Sequence, residues 1–300
     1  MIYIFYEGRS GNIIFQYIFA RYISFLTGQI INDEIKYYTY TNNNVIQFIG
    51  KENINSTTST IANNNSVNSN DDNVFLITDN NAEYTIQELI QNKNLLDGKD
   101  IILGKRSGYY QNSILYKHNT NFISSIINFP PSSDKIYGDN TVVIHIRLDD
   151  FHRIGIDSEI IYLDYYDNII KTFQYTDIHI VYNKSENSSY KKRMLRDVGT
   201  SYSNEETKYL QYFQMKYNVQ IISSNASSDF KYFQQFKNII LSASSFGFWA
   251  AVNIQHVCTI HLPTHRRCNA TCNTSDILKY LGHTVIEYPN IKFVNFNEIL

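Results

Sequence analysis

Val142-Val143-Ile144-His145-Ile146-Arg147 is the stretch of sequence that decides the fold. Val142 to Ile146 is apolar except for one histidine, and a short run of this kind is typical of a buried strand in a parallel sheet. Runs like it alternate with helical patterns along the chain, which predicts an α/β architecture. Because strand side chains alternate between faces, we expect His145 and Arg147 on the same face at the carboxyl end of this strand.

The same alternation extends from this strand in both directions. Further strands are predicted at Ile2–Tyr6, Val74–Thr78, Ile101–Leu103, Ile178–Tyr182, Val219–Ser223, Ile239–Leu241 and Cys258–Leu262. Helices are predicted at Gly11–Leu26 (with Gly28 as the terminating residue), Tyr84–Gln91, Leu163–Phe173, Glu205–Lys216, Asp229–Lys237 and from Gly247. The adjacent prolines Pro130 and Pro131 stop any helix, so we place a domain boundary there and expect lobes 1–131 and 132–300.

Composition narrows the class of protein. The chain has 300 residues, of which 43% are hydrophobic, which is enough for two folded lobes. With 26 basic and 28 acidic residues the net charge is −2, so a nucleic-acid partner is not expected. The start of the chain has no basic signal region, no segment is long and apolar enough to predict a membrane span, and three cysteines make no disulfide framework. A cytoplasmic location is therefore expected.

The residues after the deciding strand suggest an anion-binding site. Ligands of open α/β sheets bind at the carboxyl ends of strands, where His145 and Arg147 are expected. Arginine presents a rigid fork that holds two phosphate oxygens, and a fixed guanidinium would stabilise a departing diphosphate. His145 could hydrogen-bond a base or a phosphate. The alternative is that Arg147 only pairs with a carboxylate such as Asp149 or Asp150.

A second candidate segment is Ser244-Ser245-Phe246-Gly247-Phe248-Trp249. Ser244 and Ser245 are expected at the start of a helix, where hydroxyls and free backbone N–H groups form an anion site. The alternative is that a serine there only caps the helix. The three aromatic residues Phe246, Phe248 and Trp249 fit core packing better than stacking on a base.

A third segment lies near the start of the chain. Gly8 and Gly11 allow a ligand to approach the backbone closely, Arg9 offers a second phosphate contact, and Asn12 can bond sugar hydroxyls. The spacing lacks the third glycine of a dinucleotide fingerprint and the lysine of a P-loop.

Metal binding is not expected. The acidic pair Asp149-Asp150 lies inside the arginine motif, and Asp71-Asp72 lies in a Ser/Thr/Asn-rich tract. A group of four residues has a spacing close to that of zinc ligands: His261, His265, Cys268 and Cys272. These residues flank two arginines, whose positive charges disfavour binding of a dication.

The segments together resemble those of the α-1,2-fucosyltransferase family. Gly11 to Arg21 resembles the family's G-N-Q-x-F-Q-Y-A-F-A-R opening, and Gly8 to Asn12 is also similar to protein O-fucosyltransferases. Gly108-Tyr109-Tyr110-Gln111 is similar to a G-Y-F-Q segment of the family. His145-Ile146-Arg147 followed by Asp150 matches H-x-R-x-x-D. Ser244 to Ala251 resembles S-[ST]-[FY]-S-W-W-[AG]-A, and Asp229 precedes it at a spacing similar to that of the family's acidic helix residue.

The resemblance implies a GT-B fold of two Rossmann-like lobes with the donor cleft between them. It implies inverting, metal-independent transfer of fucose from GDP-fucose to a sugar hydroxyl of a glycan, with no cofactor besides the donor. The residues that it implies for donor binding are Gly8, Arg9, Gly11, His145, Asp229, Ser244, Ser245 and Phe246, of which His145 and Asp229 hold the guanosine side. The residues that it implies for catalysis are Arg147, Asp150 and Asn12. For the general base, Asp150 competes with His152, Asp157 and Glu159.

Three alternatives stay open from the sequence. Leu148 and Asp149 replace an arginine and a glycine of the family, so the donor could be another nucleotide sugar. The chain could instead be an inactive protein that binds nucleotide sugars or glycans, or an interaction protein that keeps the motifs as remnants. The sequence leaves acceptor, linkage and oligomeric state open.

Overall fold

The computed structural model describes residues 1–4, 10–32, 73–103, 110–111, 115, 135–148, 161–182, 202–224, 226–265 and 274–293. The chain divides into two compact units, Met1–Pro130 and Pro131–Leu300. The described residues form seven helices and two sheets, and every pair of neighbouring strands in both sheets is parallel. The predicted α/β class is confirmed. None of the helices in these ranges is long and apolar enough to cross a membrane.

The N-terminal unit contains a four-stranded sheet in the order β2-β1-β4-β3. Its strands are β1 (Ile2–Ile4), β2 (Ile31–Asn32), β3 (Val74–Ile77) and β4 (Asp100–Leu103), and its helices are α1 (Ser10–Thr27) and α2 (Ala82–Gln91). Helix α1 packs apolar residues such as Phe15, Ile18 and Phe19 into the core. It ends at Gly28, as predicted, because Gly28 takes a left-handed φ of 71° and donates its N–H to the carbonyl of Ser24.

The C-terminal unit contains a six-stranded sheet in the order β10-β9-β8-β5-β6-β7. Its strands are β5 (Thr141–Ile146), β6 (Asp177–Tyr182), β7 (Val219–Ile222), β8 (Asn238–Ile240), β9 (Thr259–Pro263) and β10 (Thr284–Tyr288). Its helices are α3 (Leu163–Phe173), α4 (Tyr202–Lys216), α5 (Ala226–Phe233), α6 (Ser245–Val252) and α7 (Ser275–Tyr280). If the six strands are renumbered 1 to 6 along the chain, so that β5 is strand 1, their order in the sheet read from β7 is 3-2-1-4-5-6. This is the order of doubly wound nucleotide-binding sheets. The order reverses between β5 and β8, so the carboxyl ends of these strands mark the switch point.

Strand β5 is buried along its whole length and separates two layers of packing. Val142, Ile144 and Ile146 lie in an apolar core that includes residues of α3 and α4. Leu148 belongs to the same core, so the alternation of side chains continues past the end of the strand. Arg147 therefore shares the side of His145, as predicted.

Several helix boundaries differ from the predictions, among them the start of α6 and the end of α5. Helix α6 begins at Ser245, two residues before the predicted start at Gly247. Helix α5 ends at Phe233 instead of Lys237, because the next three N–H groups bond three residues back: Gln234 to Lys231, Gln235 to Tyr232 and Phe236 to Phe233. Such bonds tighten the chain into a turn, which ends the helix early.

Candidate functional site

The imidazole of His145 lies at the switch point, near the carboxyl end of β5. Its Nδ1 is 2.7 Å from Oγ of Ser242, which follows β8. Its ring centroid lies 5.7 Å from that of Phe246 and 6.1 Å from that of Phe233. Gly247 is also close, because a Cβ atom there would lie 3.1 Å from Cγ and Nδ1 of the ring. The histidine is therefore held between the segment after β8, helix α5 and helix α6.

His145 and Arg147 differ in charge, and this difference separates their roles. Burial, followed by the positive charge of Arg147, lowers the pKa of His145 to about 3. The imidazole is therefore neutral at pH 7 and offers one N–H donor and one acceptor. Arg147 is half-buried and carries the permanent positive charge of the pair. Of these two residues, Arg147 is the one that can meet an anion with a charge.

The start of helix α6 is not capped by its serine. Ser244 occupies the cap position in an extended conformation (φ −136°, ψ 126°), but its side chain makes no capping hydrogen bond. Its Oγ is buried without a hydrogen-bond partner among the described residues, and the residue is 1% exposed. Its backbone is engaged, since its N–H donates to the carbonyl of Ser242 and its carbonyl accepts from the N–H of Phe248. The alternative in which Ser244 serves only as a cap is wrong.

Asp229 lies in helix α5, which packs against the start of α6. It is 6% exposed, and its Oδ1 accepts the backbone N–H of Ser224 at 3.1 Å. Burial raises the pKa of Asp229 to about 6, although the hydrogen bond from Ser224 lowers it. Helices α5 and α6 meet through Phe230 and Phe246, whose ring centroids are 5.8 Å apart. The structure thus brings helix α5, which carries Asp229, together with His145 and the serine segment in the C-terminal unit.

The aromatic residues of the serine segment have two different environments. Phe248 and Trp249 are fully buried and pack edge to face, with their ring centroids 5.2 Å apart. Core packing is confirmed for these two residues. Phe246 is only half-buried and lies beside His145, so it is the aromatic side chain of the segment that a ligand can reach.

In the N-terminal unit, Asn12 is positioned by a distant segment. Its Oδ1 accepts a hydrogen bond from Nε2 of Gln111 at 2.8 Å. The neighbouring Tyr110 stacks on Phe19 of α1 with a centroid distance of 4.0 Å, and its hydroxyl donates to the carbonyl of Ile77. The opening motif and the Gly108–Gln111 motif, which are far apart in sequence, are therefore in contact through these residues.

Several predicted residues lie outside the described residues. They are Gly8, Arg9, Asp149, Asp150, His152, Asp157, Glu159, Cys268 and Cys272. Gly11 lies within α1 and is buried, and Ser245, the first residue of α6, is also buried.

The residues with near-zinc spacing do not form a metal site where they are described. Nδ1 of His261 is 2.9 Å from the hydroxyl of Tyr288, and Nε2 is 3.0 Å from the hydroxyl of Tyr175. Both ring nitrogens are therefore used in hydrogen bonds. In the described ranges no three His, Cys, Asp or Glu side chains are grouped to hold a metal ion.

Comparison with known proteins assigns no family. No protein-family model matches this chain, and no curated protein sequence is significantly similar to it.

Proposed function

We propose that this protein is a GT-B glycosyltransferase that transfers fucose from GDP-fucose to a sugar hydroxyl of a glycan. One observation carries the proposal: the start of α6 lies uncapped at the switch point of a 3-2-1-4-5-6 sheet, and Arg147 directly follows β5 at that point. The first N–H groups of a helix favour an anion, and a buried hydroxyl without a partner is uncommon unless something else uses it. A diphosphate can accept hydrogen bonds from these N–H groups and from this hydroxyl.

The proposed role of Arg147 follows from the charge that develops during transfer. The acceptor oxygen forms a bond to the anomeric carbon while the bond from that carbon to the β-phosphate oxygen breaks, and GDP leaves with the bonding electrons. The acceptor hydroxyl gives its proton to a general base, for which Asp150 is the candidate that the family motif supports. A guanidinium at the diphosphate stabilises the leaving group more strongly as its charge grows.

The nucleoside end of the donor is assigned to Asp229 and His145. Guanine carries two neighbouring N–H donors that an ionised carboxylate can accept together. Asp229 is a buried carboxylate, and its Oδ1 accepts the backbone N–H of Ser224. Asn12 of the N-terminal unit keeps the role that the family resemblance implies for it, because its amide can bond sugar hydroxyls.

Calorimetric titration with GDP, GDP-fucose, GDP-mannose and UDP-glucose tests the proposal, with Arg147→Ala as the first variant. Because hydrogen bonds to charged groups contribute about 1.5–3 kcal/mol, we expect GDP-fucose affinity to fall roughly 10- to 150-fold in the variant. Lys237→Ala is the matched control, because Lys237 is an exposed cation of the same unit that pairs with Asp139 before β5. Its affinity should equal that of the wild type.

The titration also separates the alternatives. Preference for GDP-mannose or UDP-glucose would retain a donor site and discard the fucosyl assignment. Binding of GDP-fucose without turnover, measured as GDP release with a panel of glycans, would favour an inactive binding protein. If none of the four nucleotides binds, the enzyme proposal is refuted.

A further inference from the structure

Ser242 is a residue that no sequence motif singled out, and it contacts the candidate site directly. It follows β8, it is buried, and its Oγ lies 2.7 Å from Nδ1 of His145. Within the described residues this is the only hydrogen bond of the imidazole and the only one of the serine side chain. The direction in which the hydroxyl points and the nitrogen that carries the imidazole proton therefore depend on each other.

Only one direction of this hydrogen bond satisfies both groups. If Nδ1 carried the proton, it would donate to the hydroxyl oxygen, and the proton of the hydroxyl would be buried with no acceptor in the described part of the chain. If the hydroxyl donates, Nδ1 accepts, and the hydroxyl proton is satisfied; the remaining donor is Nε2–H, and Nε2 is not among the fully buried atoms without a partner. Since the imidazole is neutral, its single proton then belongs to Nε2.

We propose that Ser242 is a positioning residue that holds His145 as the Nε2–H tautomer, so that the ring presents a hydrogen-bond donor to an oxygen of the nucleotide. The inference rests on the proposed function for its ligand, and that oxygen is either a phosphate oxygen or an oxygen of the nucleoside. A histidine in the opposite tautomer would present a lone pair, which repels either kind of oxygen. Ser242 thus acts through His145 and does not touch the nucleotide itself.

Packing holds the ring in place independently of this hydrogen bond. A Cβ atom at Gly247 would lie 3.1 Å from the ring and 3.2 Å from Cδ2 of Leu241, so the glycine leaves just enough space for the imidazole. Phe246 and Phe233 lie close to it as well. Removing the serine hydroxyl should therefore change the position of the proton more than the position of the ring.

The tautomer is measured first, without any ligand. Nitrogen NMR of the full-length protein labelled at histidine distinguishes a protonated ring nitrogen from a bare one, and His145→Gln identifies the signals. We expect the proton on Nε2 in the wild-type protein and a mixture of both tautomers in Ser242→Ala. A proton on Nδ1 of the wild type, or an unchanged tautomer in the variant, overturns the inference.

Binding of GDP and of guanosine is measured next. Loss of one neutral hydrogen bond predicts about three- to tenfold weaker GDP binding by Ser242→Ala. The same loss with guanosine assigns the accepting oxygen to the nucleoside, and a loss with GDP alone assigns it to the diphosphate. Undiminished GDP affinity in the variant overturns the inference. Ser275→Ala is the matched control, because Ser275 is a buried serine of the same unit that hydrogen-bonds Glu287.

The two experiments keep the inference and the proposed function apart. A wild-type protein that has the Nε2–H tautomer but binds no GDP refutes the proposed function and the role of the tautomer in binding. A protein that binds GDP but has Nδ1 protonated refutes only the inference. Melting temperatures of both serine variants show whether a loss of binding comes from the site or from the fold.

Discussion

Replacing Asp229 by asparagine should stabilise the ligand-free protein while it weakens nucleotide binding. Burial raises the pKa of this carboxyl from 3.8 to about 6, which means that the fold disfavours its charge. This rise in pKa corresponds to about 3 kcal/mol of unfavourable free energy for ionising Asp229 in the folded state at pH 7. Asparagine removes the charge and keeps an oxygen that can accept the N–H of Ser224. Its NH₂ group has to find a partner, so we expect a net gain of about 1–3 kcal/mol.

The sign of the pH dependence follows from the same shift. Because the folded pKa exceeds the unfolded one, the stabilisation from protonating Asp229 is complete below pH 3.8 and is lost as the pH rises through about 6. The difference between Asp229→Asn and the wild type should therefore be largest above pH 6 and close to its minimum at pH 4. For the C-terminal unit a gain of this size raises the melting temperature by roughly 2–4 °C per kcal/mol.

Urea unfolding followed by circular dichroism at pH 4, 5, 6, 7 and 8 measures this difference. Titration with GDP at pH 7 measures the loss of binding, which we expect to exceed tenfold if the carboxylate holds the guanine. A variant that is less stable than the wild type at pH 7 would refute the reasoning. So would a stability difference that does not change between pH 4 and pH 8.

Two further predictions concern stability and the position of His145. Asp167 is buried, which alone raises its pKa, but Lys171 and Lys216 lie 2.5 and 2.7 Å from its oxygens and the net pKa falls to about 2. Asp167→Asn should therefore cost about 2 kcal/mol above pH 4, and that difference should vanish as the pH falls from about 4 to 2, which urea unfolding can follow. In Gly247→Ala the new methyl group should displace His145 by a few tenths of an ångström and weaken GDP binding severalfold, measured by titration, whereas unchanged affinity would argue that the ring does not contact the nucleotide.

The parts of the fold that the sequence predicts well are those with a strong local signal. Helix α3 was predicted at Leu163–Phe173 and has those bounds, because its apolar residues recur at helical spacing and Gln174 ends it with a left-handed φ of 55°. Strand β5 was predicted to within one residue, because a run of apolar residues admits little else once its length is that of a strand. The position of Ser244 at the start of a helix was also predicted.

The missed elements have weak local signals. Strand β2 has only two residues, and its pairing with β1 is a property of the folded sheet. Strand β10, at the edge of the other sheet, is largely half-exposed and includes the charged Glu287, so its sequence has no continuous apolar run. Helix α7 has six residues, which is too short for a periodic pattern.

The missed site residue, Ser242, has a signal only in three dimensions. Val143 and Ile144 pair with Ile239 and Ile240, so the residues after both strands are neighbours. Knowing the strand order, one could have searched the two residues after β8 for a partner of His145. The sequence alone does not say that these two strands are adjacent.

The chain contains one tryptophan, Trp249, and it is fully buried in helix α6, one turn after Ser244 and Ser245. Indole fluorescence of the unlabelled protein therefore comes from a single position in the C-terminal unit, next to the candidate anion site. With excitation at wavelengths that spare tyrosine, the emission reports the unfolding of this unit and not that of the N-terminal unit. A nucleotide that binds at the start of α6 acts on the same helix, so the emission also serves as an optical titration that needs no substitution or dye.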